Sequence, residues 1–336
     1  MFERFEPEEQ PIESPQVGGT IGNFRLLEEI GDGAMAIVYR AEHLSTNRQV
    51  ALKVLHAEFC ARMDIVRRFF RERLVVKRAW HPNILDIAEV VAGEGHPPFL
   101  IMELLQGEDL GRYLDRMGRL SVDQAVTVAV QVCSALGAIH ARNIVHRDLK
   151  PANLFLLGVD DGYPVVKLLD FGLSKFLYED DPYMRSRPGA FLGTPEYMAP
   201  EQIGGGELSD LVDVYAMGAL LYEMITGSNP FRGENFQASI KAVLEVEPDP
   251  PSLHAPTGET VSQTLDNIIL RCLAKNPEHR IQGVDRLKAL LLSTQDPRST
   301  VEVAPPPRKL RPWQWAAGGI AAASLLGLAV WMLMLS

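Results

Sequence analysis

His146-Arg147-Asp148-Leu149-Lys150-Pro151-Ala152-Asn153, followed by Asp170-Phe171-Gly172, is the stretch that decides how this chain is read. The first string sets a carboxylate, an ammonium group and an amide within one short loop, and the second sets another carboxylate beside a glycine. Asp148 offers a proton acceptor for an attacking hydroxyl, Lys150 offers positive charge, and Asn153 with Asp170 offers oxygen ligands for a hard divalent cation. These are the groups that phosphoryl transfer from Mg-ATP requires. An isolated His-Arg-Asp is most often a surface turn. The full eight-residue string makes that reading untenable.

Upstream, Ile30-Gly31-Asp32-Gly33-Ala34-Met35-Ala36-Ile37-Val38 reads as a glycine-bearing turn between two strands. Glycines let backbone N–H groups approach phosphate oxygens, although such a turn taken alone is most often only a hairpin. Strands are expected at Phe24–Ile30, Val38–His43, Val50–Leu55, Leu85–Val91 and Phe99–Glu103. In Val50–Leu55, alternation puts Ala51, Lys53 and Leu55 on one face. On a helix expected over Ile65–Ala79, the stripe Ile65, Phe69, Val76 and Ala79 also carries Glu72. A carboxylate on an apolar face needs a partner, and Lys53 is the partner expected. Downstream, Ser121 and Gln124 form a capping box for a helix reaching about Ala141. Further helices are expected at Ser209–Thr226 (apolar almost all round), Asn235–Val246, Thr264–Leu273 and Val284–Leu292.

In this order the motifs resemble those of the protein kinase family, specifically the eukaryote-like serine/threonine kinases of bacteria, from about Asn23 to Leu292. The resemblance implies an α+β, two-lobed fold: a small antiparallel β-sheet lobe with one main helix (20–105) and a larger helical lobe (106–292). It implies ATP and Mg²⁺ as cofactors and Ser/Thr hydroxyls of proteins as acceptors. Asp148 would be the base, Lys150 would neutralise the γ-phosphate, and Asn153 and Asp170 would hold Mg²⁺. Lys53, fixed by Glu72, would hold the α- and β-phosphates under the 30–38 loop. Val38, Ala51, Leu105 and Phe155 would surround the adenine, with Glu103-Leu104-Leu105 as the hinge and Met102 behind the base. The family pattern has a third glycine in the loop, where this chain has Ala36, and that departure puts the loop's flexibility in question.

The same resemblance makes Gly193-Thr194-Pro195-Glu196-Tyr197-Met198-Ala199-Pro200-Glu201 the end of an activation segment. Thr194 would contact Asp148 and Lys150. Glu201 would pair with Arg280 in Asn276-Pro277-Glu278-His279-Arg280, and Asp213 would brace the catalytic loop. Arg147 would meet a phosphate on the segment, with Ser186 as the candidate acceptor. Alternatively, Glu179, Asp180 and Asp181 would supply that negative charge permanently. Two other readings stand beside an active protein kinase: a pseudokinase scaffold, favoured only by Ala36, and a small-molecule kinase, disfavoured by the Gly193–Glu201 segment.

The formal net charge of −10 argues against a nucleic-acid partner held by bulk charge. Cys60, Cys133 and Cys272 are scattered and suggest neither a zinc site nor a disulfide framework. Residues 1–19, acidic and dotted with proline, read as a flexible tail, and 293–312, with five prolines, as a linker. Ala316–Leu335 is a run of 20 residues without a charge. As a helix it reaches about 30 Å, the thickness of a bilayer's hydrocarbon core. Arg308, Lys309, Arg311, Trp313 and Trp315 flank it, so 313–336 is expected to be a single transmembrane helix in the cell (inner) membrane, with the kinase lobes on the cytosolic side. Gly319, Ala323 and Gly327 make a small-residue stripe suited to a homodimer. Only Ser336 follows, so the expected input acts in the membrane, in the cytosol or through a partner.

Overall fold

The small lobe is one antiparallel sheet of six strands, lying side by side in the order Thr20–Ile21, Phe24–Asp32, Ala36–His43, Gln49–Leu55, Phe99–Met102, Ile87–Val91. The computed structural model describes residues 14–67, 69–70, 79–92, 95–158, 162, 164–169, 194–256, 258–296 and 303–306. The strands are β1 (Thr20–Ile21), β2 (Phe24–Asp32), β3 (Ala36–His43), β4 (Gln49–Leu55), β5 (Ile87–Val91) and β6 (Phe99–Met102). Period-two alternation gives the sheet two apolar faces. Phe24, Leu26, Tyr39, Ala41, Val50, Leu52, Val54, Phe99 and Ile101 pack on the outer side. Ala36, Ala51, Leu55, Ile87, Leu100 and Met102 pack on the side that joins the core of the large lobe. Lys53 therefore shares its face with Ala51 and Leu55, as the alternation predicts. Residues 63–67 and 69–70 are helical, with Ile65 and Phe69 buried. Glu72 and the rest of the expected helix, other than the buried and non-helical Ala79, lie outside the described residues.

Two boundaries differ from expectation for identifiable reasons. β3 begins at Ala36, not Val38, because Ala36 already pairs with Leu55. β5 begins at Ile87, not Leu85, because Leu85 N–H is donated to Leu168 O and Ile84 bridges Leu168. Residues 83–85 are thus bound to a strand of the large lobe. Of the stretch read as a tail over 1–19, residues 1–13 lie outside the described residues and the end is bound: Tyr39 Oη donates to Pro15 O at 2.9 Å, and Gly18 N–H donates to Leu26 O. Residues 15–19 lie along the sheet because its backbone and one tyrosine satisfy theirs.

The large lobe comprises α1 (Leu110–Met117), α2 (Val122–His140), α3 (Pro200–Gly204), α4 (Leu211–Thr226), α5 (Phe236–Glu245), α6 (Gln263–Cys272) and α7 (Val284–Gln295). The Ser121–Gln124 capping box at the start of α2 forms as read. Nearly every residue of α4 is buried, which explains its lack of a polar face. Three short strands, β7 (Glu108–Asp109), β8 (Leu154–Leu157) and β9 (Val165–Leu168), form a second sheet that periodicity did not reveal. Gly107 makes that sheet's approach feasible: its φ is +152°, and a Cβ there would lie 2.0 Å from Leu156 O.

The stretch read as a linker is helical as far as Gln295. At Val303 it rests on the large lobe, with the side chain buried and the carbonyl accepting from Asn267 Nδ2 at 2.6 Å. Among the described residues, α2 alone is long and apolar enough to cross a membrane, and it is a core helix, half buried inside the lobe. The expected span at 316–335 lies outside the described residues.

Candidate active site

The loop after α2 carries Asp148, Lys150 and Asn153, and α4 holds it in shape. Asp213, in the first turn of α4 and fully buried, accepts three hydrogen bonds. His140 Nε2 and the His146 backbone N–H reach Oδ2 at 2.7 and 2.9 Å, and the Arg147 N–H reaches Oδ1 at 2.8 Å. Burial opposes ionisation of Asp213. The bond from His140, the proximity of His146 and His140, and the His146 N–H outweigh it and hold the carboxyl below its usual range.

Arg147 adopts φ +66°, a left-handed backbone that costs a non-glycine residue roughly 1–2 kcal/mol. Both of its backbone polar groups are pinned: N–H by Asp213, and the carbonyl by Gln202 Nε2 at 3.0 Å. The sharp turn ahead of Asp148 is thus held from α3 and α4, more than fifty residues downstream.

The result is a compact cluster. Lys150 Nζ lies 3.2 Å from Asp148 Oδ2. Asn153, itself buried, donates Nδ2 to Asp148 O at 2.7 Å and makes a longer contact of 3.4 Å to Asp148 Oδ2. With its nitrogen so engaged, the oxygen of the Asn153 amide is the atom left to face a cation, and that fits a hard-oxygen Mg²⁺ site. Asn153 O accepts from Leu169 N–H at 2.8 Å, which fixes the residue immediately before Asp170. Asp170 itself lies outside the described residues, as do Ser186, Glu179, Asp180 and Asp181.

In the small lobe, Lys53 is partly buried and pairs in register with Val38 on one side and Leu100 on the other. Ala51 is buried and pairs with Met102. Val38 and Leu105 pack partly buried against the same core, and Phe155 is partly buried on β8. The turn between β2 and β3 is closed by Gly33 N–H donating to Ala36 O at 3.0 Å. Neither Gly31 nor Gly33 has a positive φ. Their value is a bare backbone on the loop surface, since a Cβ on Gly33 would meet Ala36 O at 3.3 Å. Ala36, in the place of the third glycine, is an ordinary strand residue whose methyl is buried, so the loop forms without glycine there.

The carboxylate of Glu103 accepts from Lys167 Nζ at 2.7 Å and from Asp86 N–H at 2.8 Å, so it clamps β9 and the strand-leading turn. Thr194 is exposed and its carbonyl accepts from Tyr197 N–H; among the bonds of the described residues, none joins it to Asp148 or Lys150, the contact expected of it.

The end of the Gly193–Glu201 segment is nevertheless firmly seated. Tyr197 Oη donates to Glu223 on α4, and burial raises the carboxyl of Glu223 above its usual pKa. Glu201 binds Arg280 through both oxygens, at 2.6 and 2.7 Å. Arg280 is fully buried and makes further bonds to Ala274 O, Leu211 O and Lys275 O, so all five guanidinium N–H groups find acceptors.

Several positioning residues had no sequence signal. Gln202 and His140 support the loop from a distance. Asn83 donates Nδ2 to Gln131 Oε1 and to Val166 O, both at 2.9 Å, tying the turn before β5 to α2 and β9.

Residues 24–290 match the family model of the protein kinase domain, and the chain belongs to that family. Serine/threonine-protein kinase Pkn1 of Myxococcus xanthus is 42% identical over 272 residues, covering 81% of this chain and 38% of that protein. PkaA of Streptomyces coelicolor, also a serine/threonine-protein kinase, is 41% identical, covering 77% of this chain and 48% of that protein. The crystal structure of the kinase domain of Mycobacterium tuberculosis PknI covers 84% of this chain and all of its own, at 25% identity and a TM-score of 0.62. The domain is of the bacterial serine/threonine kinase type. The chain spans 38% to 54% of the length of the first curated relatives it matches.

Proposed function

We propose that this chain is a membrane-anchored serine/threonine protein kinase in cellular signalling, transferring the γ-phosphoryl group of Mg-ATP to Ser or Thr hydroxyls of protein substrates. The cluster of Asp148, Lys150 and Asn153, braced by Asp213, is the observation that carries this reading. Asp148 accepts or steers the proton of the acceptor hydroxyl. Lys150, bound to the same carboxylate, offsets charge on the transferring group. Because the transition state is loose, positioning and charge stabilisation supply most of the acceleration. Asn153 and Asp170 would hold Mg²⁺, which neutralises phosphate charge when bound. Lys53, with Glu72 as its partner, would hold the α- and β-phosphates, and the 30–38 loop would cover them.

Membrane attachment rests on the uncharged run 316–335 and its basic and Trp flanks. Those flanks favour a cytosolic kinase domain, and the Gly319, Ala323, Gly327 stripe favours a homodimer in the membrane. Ser186 is the proposed activating phosphorylation site, answered by Arg147. The scaffold reading rests on Ala36 alone, whereas the Asp148, Lys150 and Asn153 cluster favours turnover.

One experiment tests the whole. Radiolabel transfer to a generic protein substrate is measured for wild type and Asp148→Asn, each fractionated from cells before assay. Transfer should fall by about 10²–10⁴-fold in the variant, with both proteins recovered in membranes. Equal transfer sinks the assignment of Asp148, and recovery in the soluble fraction sinks the anchor.

A further inference from the structure

His56 immediately follows β4, three residues beyond Lys53, and its side chain reaches back to the tip of the loop between β2 and β3. Nε2 lies 2.8 Å from Gly33 O, so this nitrogen carries the proton and donates. The backbone N–H of His56 donates to Met35 O at 2.9 Å, and Gly33 N–H closes the turn onto Ala36 O. The ring is itself held. It meets buried Phe59 edge-on with centroids 6.3 Å apart, and the His56 carbonyl accepts from Phe59 N–H at 3.0 Å. Asp32 Oδ1 is 3.4 Å from the same Nε2, but that carboxylate is 62% exposed and its attraction is screened.

We propose that His56 is a positioning residue for nucleotide, pinning the tip of the phosphate-covering loop to the strand that carries Lys53. The inference rests on reading residues 30–38 as that loop. A loop tip held before binding loses less freedom when phosphates arrive, so the benefit falls on nucleotide affinity. The chemical step belongs to Asp148 on the large lobe and is left untouched. The bond matters in this chain because the turn carries only two glycines, and neither it nor Ala36 shows a strained backbone that would lock the tip by itself. Among the described residues, the imidazole is the one side chain that hydrogen-bonds the tip's backbone.

The test uses two substitutions in the full chain. His56→Phe keeps a ring against Phe59 and removes the donor, while His56→Gln keeps a donor for Gly33 O. His56→Phe should raise the KM for ATP about fivefold to tenfold, the loss expected for one hydrogen bond, with kcat within twofold. His56→Gln should stay within twofold on both, and in nucleotide-free wild type the His56 ring should be protonated at Nε2, with that proton hydrogen-bonded and slow to exchange by NMR. An unchanged KM in His56→Phe, equal damage in both variants, or a rapidly exchanging Nε2 proton in wild type overturns the proposal. The last readout needs no variant and survives any misfolding of His56→Phe. Lys53→Met serves as the separate control: if it leaves ATP binding intact, the reading of the nucleotide site fails, whatever His56 does.

Discussion

The loop carrying Asp148, Lys150 and Asn153 and the loop between β2 and β3, proposed to cover the phosphates, are held by different kinds of interaction. The first is fixed by the buried carboxylate of Asp213, and the neighbouring end of the 193–201 segment by the buried Arg280; both are inaccessible to solvent and hydrogen-bonded. The second is closed by backbone bonds and one partly exposed imidazole. Buried charge pairs fail badly when one partner is removed, whereas exposed contacts contribute little each. The contrast teaches that this kinase domain holds Asp148 through buried charge and holds the tip of the β2–β3 loop through a few weaker, partly exposed bonds.

The largest effect should come from breaking the buried pair. Arg280→Ala strands the Glu201 carboxylate, at 10% side-chain exposure, and should cost about 3–5 kcal/mol in urea unfolding. A loss under about 1 kcal/mol would mean that the large lobe is not braced this way. Next, Asp213→Asn should cost roughly 1–3 kcal/mol at neutral pH by leaving donors at His146 and Arg147 poorly matched.

The pH dependence of stability sharpens this second point. Asp213 has a lower pKa folded than unfolded, so its contribution is complete above the unfolded value of about 3.9 and is lost as pH falls through the folded one. Thermal unfolding between pH 6 and 2 should show a steeper acid limb in wild type than in Asp213→Asn. Parallel limbs would remove Asp213 as the source. The smallest effect belongs to the other loop: Asp32→Asn should change unfolding free energy by less than about 0.5 kcal/mol, and a larger change would show that the exposed loop is more tightly bound than its contacts imply.

How much of this was legible in the sequence depended on the span of each contact. The cluster of Asp148, Lys150 and Asn153 lies within six consecutive residues, so the string carries its own geometry. The alternation in β4 and the capping box of α2 are equally local. The pairing of Glu201 with Arg280 and the bracing by Asp213 were expected only through the family resemblance, since partners 79 and 66–73 residues apart share no periodicity. Gln202, Asn83 and His56 had neither a local pattern nor a resemblance to mark them. The ion pair of Glu103 with Lys167 could not be read from a hinge position.

By itself, then, the sequence determined which chemical groups are present, which local turn brings three of them together, and which strand faces are apolar, because these follow from spacing along a few residues. The tertiary structure alone decided that Arg147 is held in a left-handed backbone, that a histidine after β4 grips Gly33, and that Val303 returns to the large lobe. Each of these depends on donors and acceptors that meet only after distant segments have packed, and nothing in a short window of residues encodes that meeting.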